Sequence, residues 1–368
     1  MSLAISSHGS VNKPRVYLDF VQYAKATGNI HRFANINLNG STAPPYFNPY
    51  HLKPQRQNTY TCLGTTDDHV GFNVEFMDIA DTNNPWFSHF LAGANYYAIL
   101  GHELGETYPV TEIDFAAYGK QENGNYIWNN AINEFSIVGN RTSDLGYGYT
   151  IIGFDGFSNS NTKLEAYKLY LSDINERFEA GDLVTLGSIS IGRYMDFPHA
   201  PDLNIDMSIS YDGVTTQRTS SGSDIENITN TGNPSWGRFA PWYQSDSGFR
   251  DTYGVTQKGR RSWKLQFSYI DKTDMFSKNA GRPFSANYAD DDYPIYSWEA
   301  DIYDGTNHKE SFVGTFLNIS LGGKLRFIFQ PDNTVEEFAI CKIPQKSISI
   351  KQVAHGTYSI SMTFLEVW

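Results

Sequence analysis

Three runs of alternating apolar and polar residues most constrain the fold of this 368-residue chain. The apolar members are Ile205, Met207, Ile209 and Tyr211 in the first run, Trp263, Leu265, Phe267 and Tyr269 in the second, and Tyr358, Ile360, Met362 and Phe364 in the third. Successive side chains of a β-strand point to opposite faces, so each run predicts a strand with one apolar face. Such strands are typical of antiparallel sheets that cover a core with one face.

Turn residues between such runs predict many short strands. Residues 322–368 contain Gly322-Gly323, Pro331-Asp332-Asn333 and His355-Gly356, which divide this part of the chain into about four strands. Aromatic residues make up 15% of the chain, and aromatic side chains favour strands. After Phe364 the alternation changes phase, which predicts either a bulge or burial of the final strand on both faces.

Two further segments bear on the amount of helix. Residues 15–25 read as one strand. Between Leu164 and Phe178 apolar residues recur at helical spacing before Gly181, whereas Leu169 and Leu171 also fit a strand, so both interpretations stay open.

These patterns predict an all-β protein with an antiparallel β-sandwich core, a second β-rich unit inserted into it and very little helix. We expect residues 1–69 to supply an N-terminal strand and arm to a discontinuous core. Residues 70–199 form the predicted inserted module, and residues 200–368 complete the core.

The charge of the chain argues against a nucleic-acid partner, and its apolar patterning argues against a membrane span. The formal net charge is −12, and an acidic surface repels the phosphate backbone, so we expect no nucleic-acid partner. The short basic run Lys258-Gly259-Arg260-Arg261 reads as a solvated loop. We expect no membrane span, because 18 consecutive apolar residues occur nowhere, and no signal peptide, because the first residues lack a basic segment followed by an apolar one.

The two cysteines, Cys62 and Cys341, are too few and too far apart for a disulfide-rich scaffold. They form no Cys-x-x-Cys motif of the kind that binds metal or carries out redox chemistry. Two buried, reduced thiols are the favoured interpretation, and a single bridge between them stays open.

Motifs for catalysis or cofactor binding are weak. The segment from Gly101 to Glu106 resembles a zinc-protease helix, but Glu106 stands where the second histidine is required. Asp290, Asp291 and Asp292 offer oxygen ligands for Ca²⁺ without EF-hand spacing, so a solvated acidic loop is the better interpretation. We therefore predict no catalytic residues, no metal, no cofactor and no enzymatic activity.

Several aromatic residues fall in or near loop-like segments and are candidates for protein contacts or for stacking on a glycan. The alternative is that they fasten long loops onto the core. These residues are Trp86, Phe87, Trp128, Trp236, Trp242, Tyr243 and Trp298.

Parts of the chain resemble virion structural proteins of marine tailed bacteriophages, of the distal-tail, tail-hub or tail-tip type. The resemblance is carried by residues 187–203, GSISIGRYMDFPHAPDL, and by four C-terminal segments: FIFQPD at 327–332, FAIC at 338–341, QVAHGTY at 352–358 and LEVW at 365–368. Residues 97–104, YAILGHEL, are similar to a segment of the galactose-binding-like jelly-roll modules inserted in such proteins, although Glu103 departs from the commoner asparagine.

This resemblance implies that the inserted module, residues 70–199, is a jelly-roll-like β-sandwich. It also implies a structural role in a phage tail, with no catalytic residues to carry over. We expect copies of the chain to form a symmetric ring, with a hexamer favoured, in contact with tail-tube, hub or fibre proteins and with a host surface glycan as a further partner. The location implied is the virion tail. Two alternatives stay open, namely a carbohydrate-binding receptor-recognition protein and a β-sandwich polysaccharide-degrading enzyme.

Overall fold

The fold is described by a computed structural model. It covers residues 13–37, 51–52, 58–61, 69–76, 94–102, 112–120, 126–135, 148–153, 163–172, 183–202, 206–210, 214–228, 260–275, 312–334 and 338–367. The structural statements that follow concern these residues.

Antiparallel strands dominate the described chain, which is an all-β protein of the sandwich type, as the sequence predicts. In chain order the strands are β1 (Arg15–Asp19), β2 (Ile30–Asn37), β3 (Asn58–Thr61), β4 (His69–Phe76), β5 (Tyr96–His102), β6 (Glu112–Lys120), β7 (Tyr126–Phe135), β8 (Gly148–Gly153), β9 (Lys163–Ser172), β10 (Leu183–Leu186), β11 (Ser188–Asp196), β12 (Asp206–Ser210), β13 (Val214–Arg218), β14 (Asp224–Ile228), β15 (Arg260–Asp271), β16 (Phe327–Gln330), β17 (Ala339–Lys342), β18 (Ile350–Ala354) and β19 (Thr357–Glu366). Helical segments are short: α1 (Phe20–Ala26), α2 (Lys272–Met275) and a π-helix (Phe312–Leu317).

Most strands belong to two sheets. The large sheet has ten strands in the order β12-β15-β19-β17-β16-β1-β11-β5-β8, with β18 beside β19. The small sheet has five strands in the order β2-β4-β9-β6-β7. The remaining strands form two separate pairs, β3 with β10 and β13 with β14.

The middle of the large sheet is buried on both faces, and β1 shows this directly. Its residues Val16 and Leu18 belong to one core cluster, whereas Tyr17 between them belongs to a second cluster. Val74 of β4 and Tyr167 of β9 join the first cluster. The small sheet therefore packs on that face of the large sheet and forms a sandwich with it.

The alternating run in β19 is confirmed as amphipathic, since Ile360, Met362 and Phe364 are buried in the first core cluster. In β15 the prediction for Tyr269 is wrong, because this side chain is 76% exposed. A register shift between Phe267 and Ile270 inserts an extra residue opposite β19. This bulge turns Tyr269 outward and returns Ile270 to the core.

The first alternating run forms β12, but the predicted burial of its apolar face is wrong. Met207 and Ile209 are 55% and 36% exposed, and all five residues of the strand are exposed. The strand pairs with β15 at the outer edge of the large sheet, beyond the two core clusters.

The prediction of one strand over residues 15–25 is wrong in its second half. The strand ends at Asp19, whose carboxylate accepts a hydrogen bond from the N–H of Gln22 at 2.9 Å and caps α1. For residues 163–172 the strand interpretation is correct, because β9 hydrogen-bonds to β4 on one side and β6 on the other.

Four strands, β16 to β19, occur in the C-terminal segment as predicted. The phase change after Phe364 follows from burial on both faces. Phe364 lies in the first core cluster and Val367 packs against the second. The register between β15 and β19 is regular here, so no bulge is present.

Strands from residues 70–199 occur in both sheets. β5, β8 and β11 lie in the large sheet next to β1, whereas β4, β6, β7 and β9 lie in the small sheet. The division into a core and an inserted module at residues 70 and 199 stays a prediction.

Candidate protein–protein interface

A row of hydrogen-bonded polar and aromatic side chains lies on the second-cluster face of the large sheet. The hydroxyl of Tyr17 donates to Oε1 of Gln330 at 2.9 Å, and the ring of Tyr17 meets that of Tyr96 edge-on at 5.1 Å. The hydroxyls of Tyr96 and Ser190 lie 2.8 Å apart. The Ser190 hydroxyl in turn donates to Oδ2 of Asp19 at 2.9 Å. All five side chains are buried, so this row joins four strands internally.

Asp19 is the ionisable group at the end of this row. Burial raises the pKa of its carboxyl group to about 6, although hydrogen bonds from Gln22 and Ser190 favour the charged form. Opposite Asp19 in β11 lies Gly192. A Cβ there would overlap the backbone oxygen of Leu18, so the close approach of β1 and β11 requires glycine.

An ion pair joins the outer ends of β1 and β11. Nε and Nη2 of Arg15 donate to the two carboxylate oxygens of Asp196 at 2.5 and 3.0 Å. The guanidinium lies 4.5 Å from the ring centre of Tyr194, and Asn333 donates to Asp196 at 3.3 Å. Arg15 is therefore held by packing as well as by charge.

A second ion pair, in which both side chains are buried, joins the C-terminal strand to β15. The backbone N–H and Nε of Arg261 donate to Oε2 of Glu366 at 3.0 and 3.2 Å, and Nη2 donates to Oε1 at 3.1 Å. Nη2 of Arg261 also reaches the carbonyl of Phe338 at 3.1 Å. Cys341 lies opposite Glu366 and carries a free thiol, and burial raises its pKa well above the ordinary value.

The ionisable groups described above stabilise the packing of the large sheet.

The surface of the described residues contains exposed strand edges. The clearest is β12, which pairs with β15 on one side and has no described strand on the other. Such an edge presents unpaired backbone donors and acceptors, and natural proteins usually protect it.

A second exposed edge is β18, which pairs only with β19 among the described strands. Its residues from Lys351 to Ala354 are exposed, and Val353 is 51% exposed. Met207, Ile209 and Val353 thus place apolar side chains on two strand edges at the surface.

The pair β13–β14 forms a hairpin in which residues 215–227 are exposed apart from the partly buried Thr219. Arg218 and Asp224 form an ion pair at 3.0 Å across its end, and Ile225 is 58% exposed. An isolated two-stranded hairpin is only marginally stable in water. This hairpin therefore gains stability if another surface packs on it.

Most of the aromatic residues predicted as contacts lie outside the described residues: Trp86, Phe87, Trp236, Trp242, Tyr243 and Trp298. Trp128 lies in β7 opposite Tyr118 of β6. Cys62 and the acidic run Asp290, Asp291 and Asp292 also fall outside the described part. Within that part, no group of three or more His, Cys, Asp or Glu side chains is placed to hold a metal ion.

The sequence did not predict the edge strands, because an alternating pattern indicates that a strand has an apolar face but does not show whether that face is buried. Charge was the signal that marked them. Residues 202–213 contain three aspartates and no Lys, Arg or His, whereas residues 344–356 contain two lysines and a histidine and no acid. Charged residues are common on exposed edges.

Among the described helices, none is long and apolar enough to cross a bilayer.

Comparison with known proteins shows no family for this chain. No protein-family model matches the chain, and no curated protein matches it. A carbohydrate-binding module, CBM32-1 from a family 31 glycoside hydrolase of Clostridium perfringens, is 12% identical and aligns over 40% of this chain and 100% of its own, with a TM-score of 0.18. At that score the likeness carries no argument about fold or function.

Proposed function

We propose that this protein is a non-catalytic structural subunit that associates with copies of itself through exposed strand edges, as a component of a phage tail. The observation that carries the proposal is β12, a fully exposed edge strand with two apolar side chains. Strand addition to such an edge forms main-chain hydrogen bonds and covers apolar surface at the same time.

Two ion pairs and a buried carboxylate support a structural role. Arg15 with Asp196 and Arg261 with Glu366 join strands that are distant in sequence, and Asp19 caps a helix. Each of these groups is hydrogen-bonded to partners within the chain. The carbohydrate-binding and polysaccharide-degrading alternatives have no comparable support among the described residues.

The sequence resemblance to distal-tail and tail-hub proteins supplies the finer proposal. Copies would meet through different edges, and such heterologous contacts close into a ring when the rotation per copy fits the symmetry. We favour a hexamer. Interfaces of obligate oligomers commonly bury more than about 2,000 Å², which exceeds one five-residue edge, so the β13–β14 hairpin and the predicted contact aromatics would add to it.

Light scattering of the purified chain, followed by negative-stain imaging, tests this proposal. We expect masses that are multiples of the 41.5 kDa chain, with ring-shaped particles. A monomer at every concentration would contradict self-association. Discrete open pairs without rings would contradict ring formation alone.

Substitution of one exposed residue tests whether the strand edge is responsible. Met207→Asp places a charge on β12, and we expect it to weaken association at least about fivefold, as loss of an interface anchor does. Leu321→Asp is the matched control, since Leu321 is 42% exposed but lies in no strand. Its backbone has φ 50°, which aspartate tolerates. Equal weakening by both variants would argue against the edge.

A further inference from the structure

The two terminal strands of the large sheet differ in exposure. Among the described strands, the sheet ends at β12 on one side and at β8 on the other. All five residues of β12 are exposed, whereas Thr150, Ile151 and Ile152 of β8 are at most 4% exposed. β8 is therefore covered, and β12 is the terminal strand to which a further strand can add through main-chain hydrogen bonds.

The polarity pattern of β12 reads the same in both directions. Three polar residues on one face alternate with two apolar residues, Met207 and Ile209, on the other, and Ser208 lies at the centre. Met207 is opposite Trp263 of β15, which is buried in the first core cluster. The two apolar side chains therefore extend the first-cluster face of the sheet to its exposed edge.

Two antiparallel copies of β12 can pair in one register that uses all five residues of each. Residues opposite each other in an antiparallel pair share a face, so the two-fold axis must pass through a residue if the faces of both sheets are to match. With the axis at Ser208, each Met207 lies opposite Ile209 of the second copy, and each Asp206 lies opposite Ser210 of the second copy. The methionines and isoleucines then form one apolar patch, and the outward backbone groups of both edges become paired.

The charges near β12 permit this pairing. Asp206 lies opposite Lys264 of β15 in its own copy, so each edge carries an acid beside a cation. The two Asp206 side chains stand at opposite ends of the paired strands, about 13 Å apart along them. Ser210, which faces Asp206 of the other copy, is itself opposite Arg260 of β15. Within the paired β12 strands, no like charges lie opposite each other.

We infer that two copies join through β12 of each, antiparallel and centred on Ser208, so that the large sheet continues across a two-fold axis. This inference rests on the proposed self-association and names the contact that β12 makes. Such an isologous contact closes on itself and links copies in pairs, so the proposed ring still requires heterologous contacts through other surfaces. Two strands of five residues bury less area than a standard interface, so we expect the pair to dissociate on dilution.

A single cysteine tests whether β12 meets itself. In Ser208→Cys the two thiols lie opposite each other at the axis, with Cβ atoms about 5 Å apart, within reach of a disulfide after a small adjustment. The matched control is Ser361→Cys, since Ser361 is an exposed serine of β19, two strands further into the sheet. We expect oxidation to link Ser208→Cys into dimers at least about tenfold faster than the control on a non-reducing denaturing gel. Equal rates, with a wild type that associates in sedimentation velocity, would overturn this inference and leave the proposed function standing.

Mixing two single variants tests the register. Met207→Cys and Ile209→Cys both replace exposed side chains, and their thiols lie opposite each other only when one copy of each variant pairs. Within either variant alone the thiols are diagonal neighbours about 7–8 Å apart, too far for a disulfide. We expect the mixture to form linked dimers at least about threefold faster than either variant alone. A mixture that is no faster would contradict the register centred on Ser208, and a wild type that stays monomeric at every concentration would contradict the proposed function as well.

Discussion

Asp19 shows how one residue serves two neighbouring elements. Its carboxylate caps α1 and accepts a hydrogen bond from Ser190 of β11, yet it is fully buried. An Asp followed three residues later by Gln resembles a capping box, so the start of α1 was readable from the sequence. The interpretation of residues 15–25 as one strand overlooked this signal.

The raised pKa of Asp19 predicts a pH dependence of stability. In the unfolded chain the carboxyl group loses its proton near its ordinary pKa of 3.8, whereas the folded protein holds the proton until about pH 6. Ionisation between these values favours the unfolded state, so stability falls as pH rises through this window, by about 3 kcal/mol in total.

The variant Asp19→Asn isolates this contribution, since asparagine keeps the capping oxygen but does not ionise. We expect urea denaturation between pH 4 and 7 to show the free energy of unfolding of the wild type declining relative to that of the variant. Two curves that stay parallel across this range would refute the assignment.

At the scale of the strand, alternation predicted the positions of β12, β15 and β19 but not their surroundings. Amphipathic sequence requires that the apolar face be covered, and either the chain's own core or a second molecule can do so. In β15 a single extra residue after Phe267 exchanges which side chains face the core, and no local sequence pattern predicts this bulge.

The exposed strand predicts unequal effects of the same substitution at two methionines. Met207 is 55% exposed in β12, whereas Met362 is completely buried in β19. We expect Met362→Ala to lower the free energy of unfolding by about 2–5 kcal/mol, because it leaves a cavity. Met207→Ala should change it by less than about 0.5 kcal/mol under dilute conditions. Similar losses in denaturation curves would mean that β12 is covered within the chain.

At the scale of the molecule, the sequence predicted the all-β class but not the order of strands. β1 lies between β11 and β16, although about 170 and 310 residues separate it from them. Local alternation holds no information on such pairing. The candidate site was predictable only in part, because aromatic residues suggested contacts whereas the exposed edges emerged from the sheet order.

Hydrogen–deuterium exchange of the wild-type protein, dilute and concentrated, tests most directly whether the strand edges join copies. Amides in β12 and β18 should exchange more slowly in the concentrated sample, because their outward backbone groups become paired. Amides in β1, which is paired on both sides, should exchange slowly in both samples. Exchange in β12 and β18 that is equally fast in a sample shown to be oligomeric would contradict the account.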